Sequence, residues 1–487
     1  MKLNLEVFRD KLYACWIGKN IGGTMGTPYE GARQMNDIQG FSTPENVVLP
    51  NDDLDLQLVW LLAVERLGIN RVNCKTLGEF WTSYITPFWN EYGLGKANMA
   101  NGILPPLSGD AFNSWKHSNG AWIRTEIWAS LAPAAPDVAI RYAYEDAAVD
   151  HGTGEGTAAA VFVAALESAA FVESDIRRLI DIGLSKIPES SRLAKSIRLL
   201  LDCYEKGMDY RDAREVIRLE NSDIGDGWFE APSNVTYAVL GLLWGEGDFK
   251  KSMIYAINCG DDTDCTGATV GSILGIIGGT KAIPADWSAH IGDSIVTVSI
   301  RNGSMFKPVV PATCTELTER VLRQTPTVLA LSGADVQLVD GESEVSQKEL
   351  DSLSGYGSAS SRIFSQEPYS FTVDFEYASA TAILGGDPTI APLETRVIRV
   401  RVENNVFVYG NAPHNIELRW LLPDGFTVKG PKWARLPHRN SHETGSVELT
   451  FEITAPEAVS VKNRLVLEIS EPTRPTAGYL PVVLMGV

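Results

Sequence analysis

Two short stretches hold carboxylates at spacings that suit chemistry. "NDDLD" carries Asp52, Asp53 and Asp55 behind Asn51, and "GDDTDC" carries Asp261, Asp262 and Asp264 ahead of Cys265. Each runs into an apolar segment of helical period, "LQLVWLLAVERLG" and "GATVGSILGIIGG". One such cluster is explained by capping, because Asn51 or Asp52 can accept free backbone N–H groups and negative charge suits the positive end of a helix. Two clusters ask for more, since carboxylates held together repel one another unless cations or buried partners hold them. If Asp52, Asp53, Asp262 and Asp264 meet, the chemistry they fit is binding of Mg²⁺, one ion or two, through oxygen ligands that clamp a substrate.

The elements that would bring them together carry their own mark. Gly18, Gly22 and Gly26 recur every fourth residue in "GKNIGGTMGTPYEG", and Gly267, Gly271 and Gly275 repeat that interval behind the second cluster. On a helix each set forms a stripe without side chains, along which another backbone can approach closely. Two rival readings use the same residues. Asp262, Asp264 and Thr266 fit the DxDxT motif of haloacid-dehalogenase-type phosphatases, but that motif should follow an apolar strand in an α/β fold. An EF-hand loop starting at Asp262 fails, because its twelfth position is Ile273 and not a bidentate Glu.

Four blocks taken together, "GKNIGGTMGTPYEG", "NDDLDLQLVWL", "DHGTGEGTAAAVFVAALESAAF" and "GDDTDCTGATVGSILG", resemble the ADP-ribosylglycohydrolase family, which includes the dinitrogenase reductase-activating glycohydrolase. The resemblance spans most of residues 10 to 290. It implies an all-α domain with a dinuclear Mg²⁺ site that hydrolyses the bond from the anomeric carbon of an ADP-linked ribose to its acceptor. The family's first metal motif, Thr-Asp-Asp, falls on Asn51, Asp52 and Asp53; the second, Asp-x-Asp-Thr, falls on Asp262, Thr263, Asp264 and Cys265. A thiol is a poor Mg²⁺ ligand, so Thr266 is a candidate to replace the family's threonine. The resemblance implies that Glu30 lies close to metals and substrate. It leaves Glu30 or Asp53 as the base for water, with Asp262 as a further catalytic carboxylate. Asn119, Gly120, Trp122 and Arg124 occupy the place of a substrate loop and are candidates for contacting sugar or phosphate, Arg124 alternatively serving as a structural ion-pair partner. His151 is a further substrate candidate, with packing or capping as its alternative. The substrate implied is an ADP-ribosyl or related riboside, either a small molecule or a modified protein. A non-catalytic relative of the same fold is the alternative of a different class, and retention of four motif aspartates speaks against it.

The rest of the sequence sets the frame. The chain has 487 residues and a formal charge of −19, which argues against nucleic acid because phosphate backbones are held by clustered Lys and Arg. The first twenty residues mix charges and lack a signal-peptide pattern, which suggests a cytoplasmic protein. The longest apolar runs fall short of the roughly 20 residues a membrane span needs. Six scattered cysteines without a CxxC pair suggest reduced, buried thiols. Up to about residue 325 the apolar positions keep helical spacing; beyond it short alternating runs such as "TRVIRVRVENN" and "VELTFEITAP" predict an immunoglobulin-like β-sandwich. The expected organisation is therefore an all-α catalytic domain over 1–325 and a β-sandwich over 326–487, with the polar stretch 340–361 read as a loop. In the sandwich, Trp420, Trp433, His438 and His442 are candidates for carbohydrate or subunit contact, with packing or simple exposure as the alternative. The oligomeric state is left open.

Overall fold

The computed structural model describes residues 1–225, 228–301, 309–405, 414–439 and 445–487; His442 and the other four residues from 440 to 444 lie outside them. The chain forms two compact units, Met1–Gly93 with Ser114–Ser365, and Leu94–Asn113 with Gln366–Val487.

The first unit is helical, and its periodic stretches fold as their spacing predicts. Asp52–Leu67, Glu155–Ala170, Arg192–Glu205, Ala231–Gly245 and Thr263–Gly278 are all α-helices. The helix Glu155–Ala170 is buried along almost its whole length, as an apolar segment without a polar face requires. Trp16, Trp60, Trp81, Trp122 and Trp128 are fully buried in this unit. Among the described residues no single helix is long and apolar enough to cross a membrane. All six cysteines are free and buried.

Helix Leu5–Gly26 and helix Thr263–Gly278 lie antiparallel and use their glycines on each other. A Cβ on Gly18 would sit 2.1 Å from the carbonyl oxygen of Gly271, one on Gly22 2.1 Å from that of Gly267, and one on Gly26 2.3 Å from that of Thr263. The two stripes are thus mutual partners, and only glycine permits that backbone-to-backbone approach.

The expected boundary at 325/326 falls inside the helix Cys314–Ser332. The helical unit runs on to Ser365: Gln337–Val339 pairs in parallel with Lys2–Asn4, and the stretch expected as a loop contains the short helices Gln347–Asp351 and Ser358–Phe364. Its polarity suggested a loop, but Ser346 and Glu349 form a reciprocal capping box that satisfies the first helix locally.

In the second unit one five-stranded sheet runs Ser370–Phe375, Ala378–Ile383, Thr395–Asn404, Ser446–Thr454 and Thr427–Lys429; the other runs Thr389–Ile390, Ala477–Gly486, Lys462–Ser470, His414–Leu421 and Trp433–Leu436. Alternation decides their faces. Ile398, Val400 and Val402 point inward, with Val400 opposite Leu449 and Ile398 opposite Phe451, while Arg399 and Arg401 point outward to Glu448 and Glu367. Leu94–Asn113 belongs to this unit, and Ile103, Leu107 and Ala111 enter its core. Trp420 packs edge-on against Phe451 at 5.4 Å, whereas Trp433 is exposed. His438 is described with its Nδ1 buried and unpartnered.

Candidate metal centre

The glycine-mediated packing sets the geometry of the site. It brings the start of helix Thr263–Gly278 against the end of helix Leu5–Gly26, from which the chain turns through Thr27–Tyr29 to Glu30. The start of the third participating helix, Asp52–Leu67, is capped by Asn51, whose Oδ1 accepts from the Asp53 N–H at 2.7 Å. The Nδ2 of Asn51 lies 3.3 Å from Asp264 Oδ2, so one amide joins the two helix starts.

The carboxylates converge in two groups. Ligand atoms of Asp53, Asp264 and Cys265 lie within 4.8 Å of one another, and so do those of Glu30, Asp262 and Asp264. Asp53 is 1 % and Asp264 4 % exposed. Both carboxylate oxygens of Asp53 and the Oδ1 of Asp264 are buried without a hydrogen-bond partner. Orphaned buried carboxylate oxygens carry a large desolvation penalty unless something positive sits among them. Burial raises the Asp53 carboxyl well above its ordinary range, with buried Lys19 pulling the other way. Burial, then the charges of Asp262, Glu30 and Asp53, does the same for Asp264. Glu30 is exposed by surface area but lies in a concave wall; desolvation there, then the Asp262 and Asp52 charges, raises it to about 7. Burial raises Asp52, which the Tyr92 hydroxyl opposes by donating to Asp52 Oδ2 at 2.9 Å. An oxygen-rich donor set with two groups sharing Asp264 fits a pair of divalent cations.

A cavity of about 350 Å³ opens over this floor. Of the residues expected at the site, Glu30, Asn51, Asp52, Asn119, Gly120, Asp262, Asp264 and Cys265 line it, and Asp53 lies buried in the group it shares with Asp264 and Cys265. The side chains of Trp122, Arg124, His151 and Thr266 do not line it. Trp122 Nε1 donates to Asn119 Oδ1 at 2.9 Å, and Asn119 Nδ2 donates to Asp262 Oδ2 at 2.6 Å, so Trp122 acts by fixing the amide that holds the aspartate. Arg124 is fully buried, pairs with Asp146 at 2.9 Å and Asp150 at 2.8 Å, and donates to the Gly120 carbonyl. These are the contacts of a structural ion-pair partner, the second of its two readings. His151 is clamped between Asp150, 2.8 Å from its Nδ1, and Ser118 Oγ, 3.3 Å from its Nε2. The Thr266 hydroxyl donates to the Thr263 carbonyl.

Other lining residues had no motif to mark them. Glu91 accepts from Ser118 Oγ at 2.8 Å, and burial raises its carboxyl to about 7. Trp89, half exposed, and Phe229 stand in the wall. Asp55 does not face the metal groups: its Oδ2 accepts the N–H groups of Val298, at 2.7 Å, and Ser299, anchoring the segment that brings Val298 to the cavity. Asp261 likewise accepts from Asn234 Nδ2 at 3.1 Å and Phe229 N–H at 3.3 Å. The two acidic clusters thus divide their labour, some carboxylates building the site and others holding its walls.

Comparison with known proteins bears on most of the first unit. No curated protein matches the chain. Among solved structures, an ADP-ribosylglycohydrolase-related protein complex shares 18 % identity over 66 % of this chain and 99 % of its own, with a TM-score of 0.45. A FixG-related protein from Vibrio parahaemolyticus shares 8 % identity over 23 % of this chain and 98 % of its own, with a TM-score of 0.19. The sequence model of the ADP-ribosylglycohydrolase family matches residues 4–325, which include every side chain of the carboxylate groups and every described residue lining the cavity above them. With two thirds of its length matched in this way, the chain belongs to the ADP-ribosylglycohydrolase family.

Proposed function

We propose that the protein is a divalent-metal-dependent glycoside hydrolase that cleaves the bond at the anomeric carbon of a ribosyl substrate. The observation that carries this reading is the convergence of Asp53, Asp264 and Cys265 with Glu30 and Asp262 on the floor of one cavity, in a chain of this family. Asp52, Asp53, Asp262 and Asp264 would hold the ions, Mg²⁺ being the family's metal. When bound, such ions supply Lewis-acid stabilisation of developing charge and lower the pKa of water. Glu30 is the favoured general base, because it faces the cavity while Asp53 is buried below it. It takes the proton of a water whose oxygen bonds to the anomeric carbon as the bond to the leaving group breaks; the leaving group departs with the bonding pair and takes a proton from solvent. Asn119 and Tyr92 hold Asp262 and Asp52 in position, and Trp89 and Phe229 offer flat apolar faces to a ring.

One observation favours a small riboside over an ADP-ribosylated protein. The described lining contains Glu30, Asp52, Glu91, Asp262 and Asp264 and no Lys or Arg, so a pyrophosphate would find no cationic partner on the cavity wall. At about 350 Å³ the cavity also lies near the lower end of the roughly 300–1,000 Å³ range of ligand sites. The phosphatase reading lacks its structural context, because Asp262 follows helix Phe249–Asn258 and opens another helix. The test is Mg²⁺-dependent release of sugar from free ribosides alongside ADP-ribosylated peptides. Riboside turnover is expected to dominate. Turnover of peptides alone would overturn the small-substrate reading, and cleavage of phosphomonoesters with inert ribosides would overturn the glycosidase reading.

A further inference from the structure

The two ligand groups are chemically unequal. One is Glu30, Asp262 and Asp264, all hard oxygen donors. The other is Asp53, Asp264 and Cys265, in which the third donor is sulfur. The two oxygens that the sequence offers as substitutes for the thiol each already hold a hydrogen bond. Asn51 spends its Oδ1 on the Asp53 N–H and turns its NH₂ toward Asp264. The Thr266 hydroxyl is bonded to the Thr263 carbonyl. Cys265 lines the cavity at 5 % exposure, beside the buried, unpartnered oxygens of Asp53 and Asp264. The sulfur donor is what discriminates: a thiolate among three protein ligands with a side open to the cavity suits a catalytic borderline metal, whereas Mg²⁺ takes oxygen from carboxylates and water.

We propose that Cys265 makes the centre a mixed one: the Asp53–Asp264–Cys265 position takes a thiophilic divalent ion such as Zn²⁺ or Co²⁺, and the all-oxygen position at Asp262 and Asp264, beside the base Glu30, takes Mg²⁺ or Mn²⁺, with Asp264 shared between them. Thiolate ligands select zinc and its neighbours, whereas carboxylates serve Mg²⁺ and Mn²⁺. The Cys265 proton leaves to solvent as the ion enters, so sulfur binds as thiolate. This inference rests on reading the cavity floor as a divalent-ion site, and its test separates the two.

The full-length protein, stripped with chelator, is titrated with Co²⁺ while the near-ultraviolet thiolate-to-cobalt charge-transfer band is followed, and Zn²⁺ and Mg²⁺ affinities are measured by competition and calorimetry. The wild type is expected to develop one band that saturates at one Co²⁺ per chain. Cys265→Ser is expected to lose that band and to weaken Zn²⁺ binding by at least about 10- to 100-fold, while leaving Mg²⁺ affinity within a few-fold. Cys265→Thr restores a hydroxyl oxygen and is expected to shift the Zn²⁺/Mg²⁺ preference toward Mg²⁺; because it is close in size to cysteine, it keeps the test alive if the serine variant misfolds. Co²⁺ binding without a thiolate band, or unchanged Zn²⁺ affinity in the variants, overturns the mixed-metal proposal and leaves the metal site standing. Failure of Co²⁺, Zn²⁺, Mn²⁺ and Mg²⁺ alike to bind overturns both.

Discussion

Substituting Gly22 with alanine tests the argument that backbone contact between two helices builds the site. The new Cβ would lie 2.1 Å from both the carbonyl carbon and the oxygen of Gly267 and 2.4 Å from the Ala268 nitrogen, roughly 1.3 Å short of an ordinary contact at about 3.4 Å. All of these are backbone atoms, so no rotamer change relieves the clash and the helices must separate. Alanine is intrinsically better in a helix than glycine by about 1 kcal/mol. Overpacking costs about 1–3 kcal/mol where side chains can move, and more where they cannot. The expected net loss is therefore on the order of 2 kcal/mol or more, or about 3 °C in Tm for a unit of this size. The same separation moves Asp262 and Asp264 away from Asp53, and a displacement of about 1 Å at a catalytic centre costs on the order of 100-fold in rate. The assay is a thermal melt with and without Mg²⁺, together with metal affinity, set against Gly40→Ala, where nothing lies within 4 Å of the added carbon. A Gly22→Ala protein that melts within a degree of wild type and binds metal unchanged would refute the reasoning.

Further expectations follow from the same geometry. Mg²⁺ at about 100 times its Kd should raise stability by about 2.7 kcal/mol, and Asp262→Asn should abolish both that increment and turnover; a variant that keeps either one removes Asp262 from the centre. Glu91 is raised to about 7 by burial, so between about pH 4.5 and 7 the folded state holds a proton that the unfolded state has released. Its contribution is favourable at low pH and fades by up to about 1.4 kcal/mol per pH unit as pH rises through that window. Glu91→Gln should flatten the decline in the metal-free protein, and an unchanged pH profile of denaturant midpoints would count against it. Arg124→Met should cost about 3–5 kcal/mol, since it leaves Asp146 and Asp150 buried without their cation; a loss under 1 kcal/mol by urea denaturation would show that the pair is dispensable.

Period and composition alone determined the order of the two architectures, helices first and strands after, because burial of one face imposes a helical or a two-residue repeat on the sequence itself. The acidic clusters and the glycine intervals also marked the helix ends that matter, since carboxylates ahead of an apolar segment and small residues every fourth position are local facts. What stayed hidden depends on partners distant in the chain. That the Gly18–Gly26 stripe faces Gly271–Thr263, that Asp55 and Asp261 anchor walls while Asp53 and Asp264 hold orphaned oxygens, and that Arg124 is consumed by Asp146 and Asp150, are outcomes of packing. Leu94–Asn113 joined the β-rich unit for the same reason: its apolar residues are completed only by strands that begin more than 250 positions later. A side chain's chemistry is written at its own position, but its environment is supplied by the tertiary fold, and that environment decides whether a carboxylate caps, braces or binds.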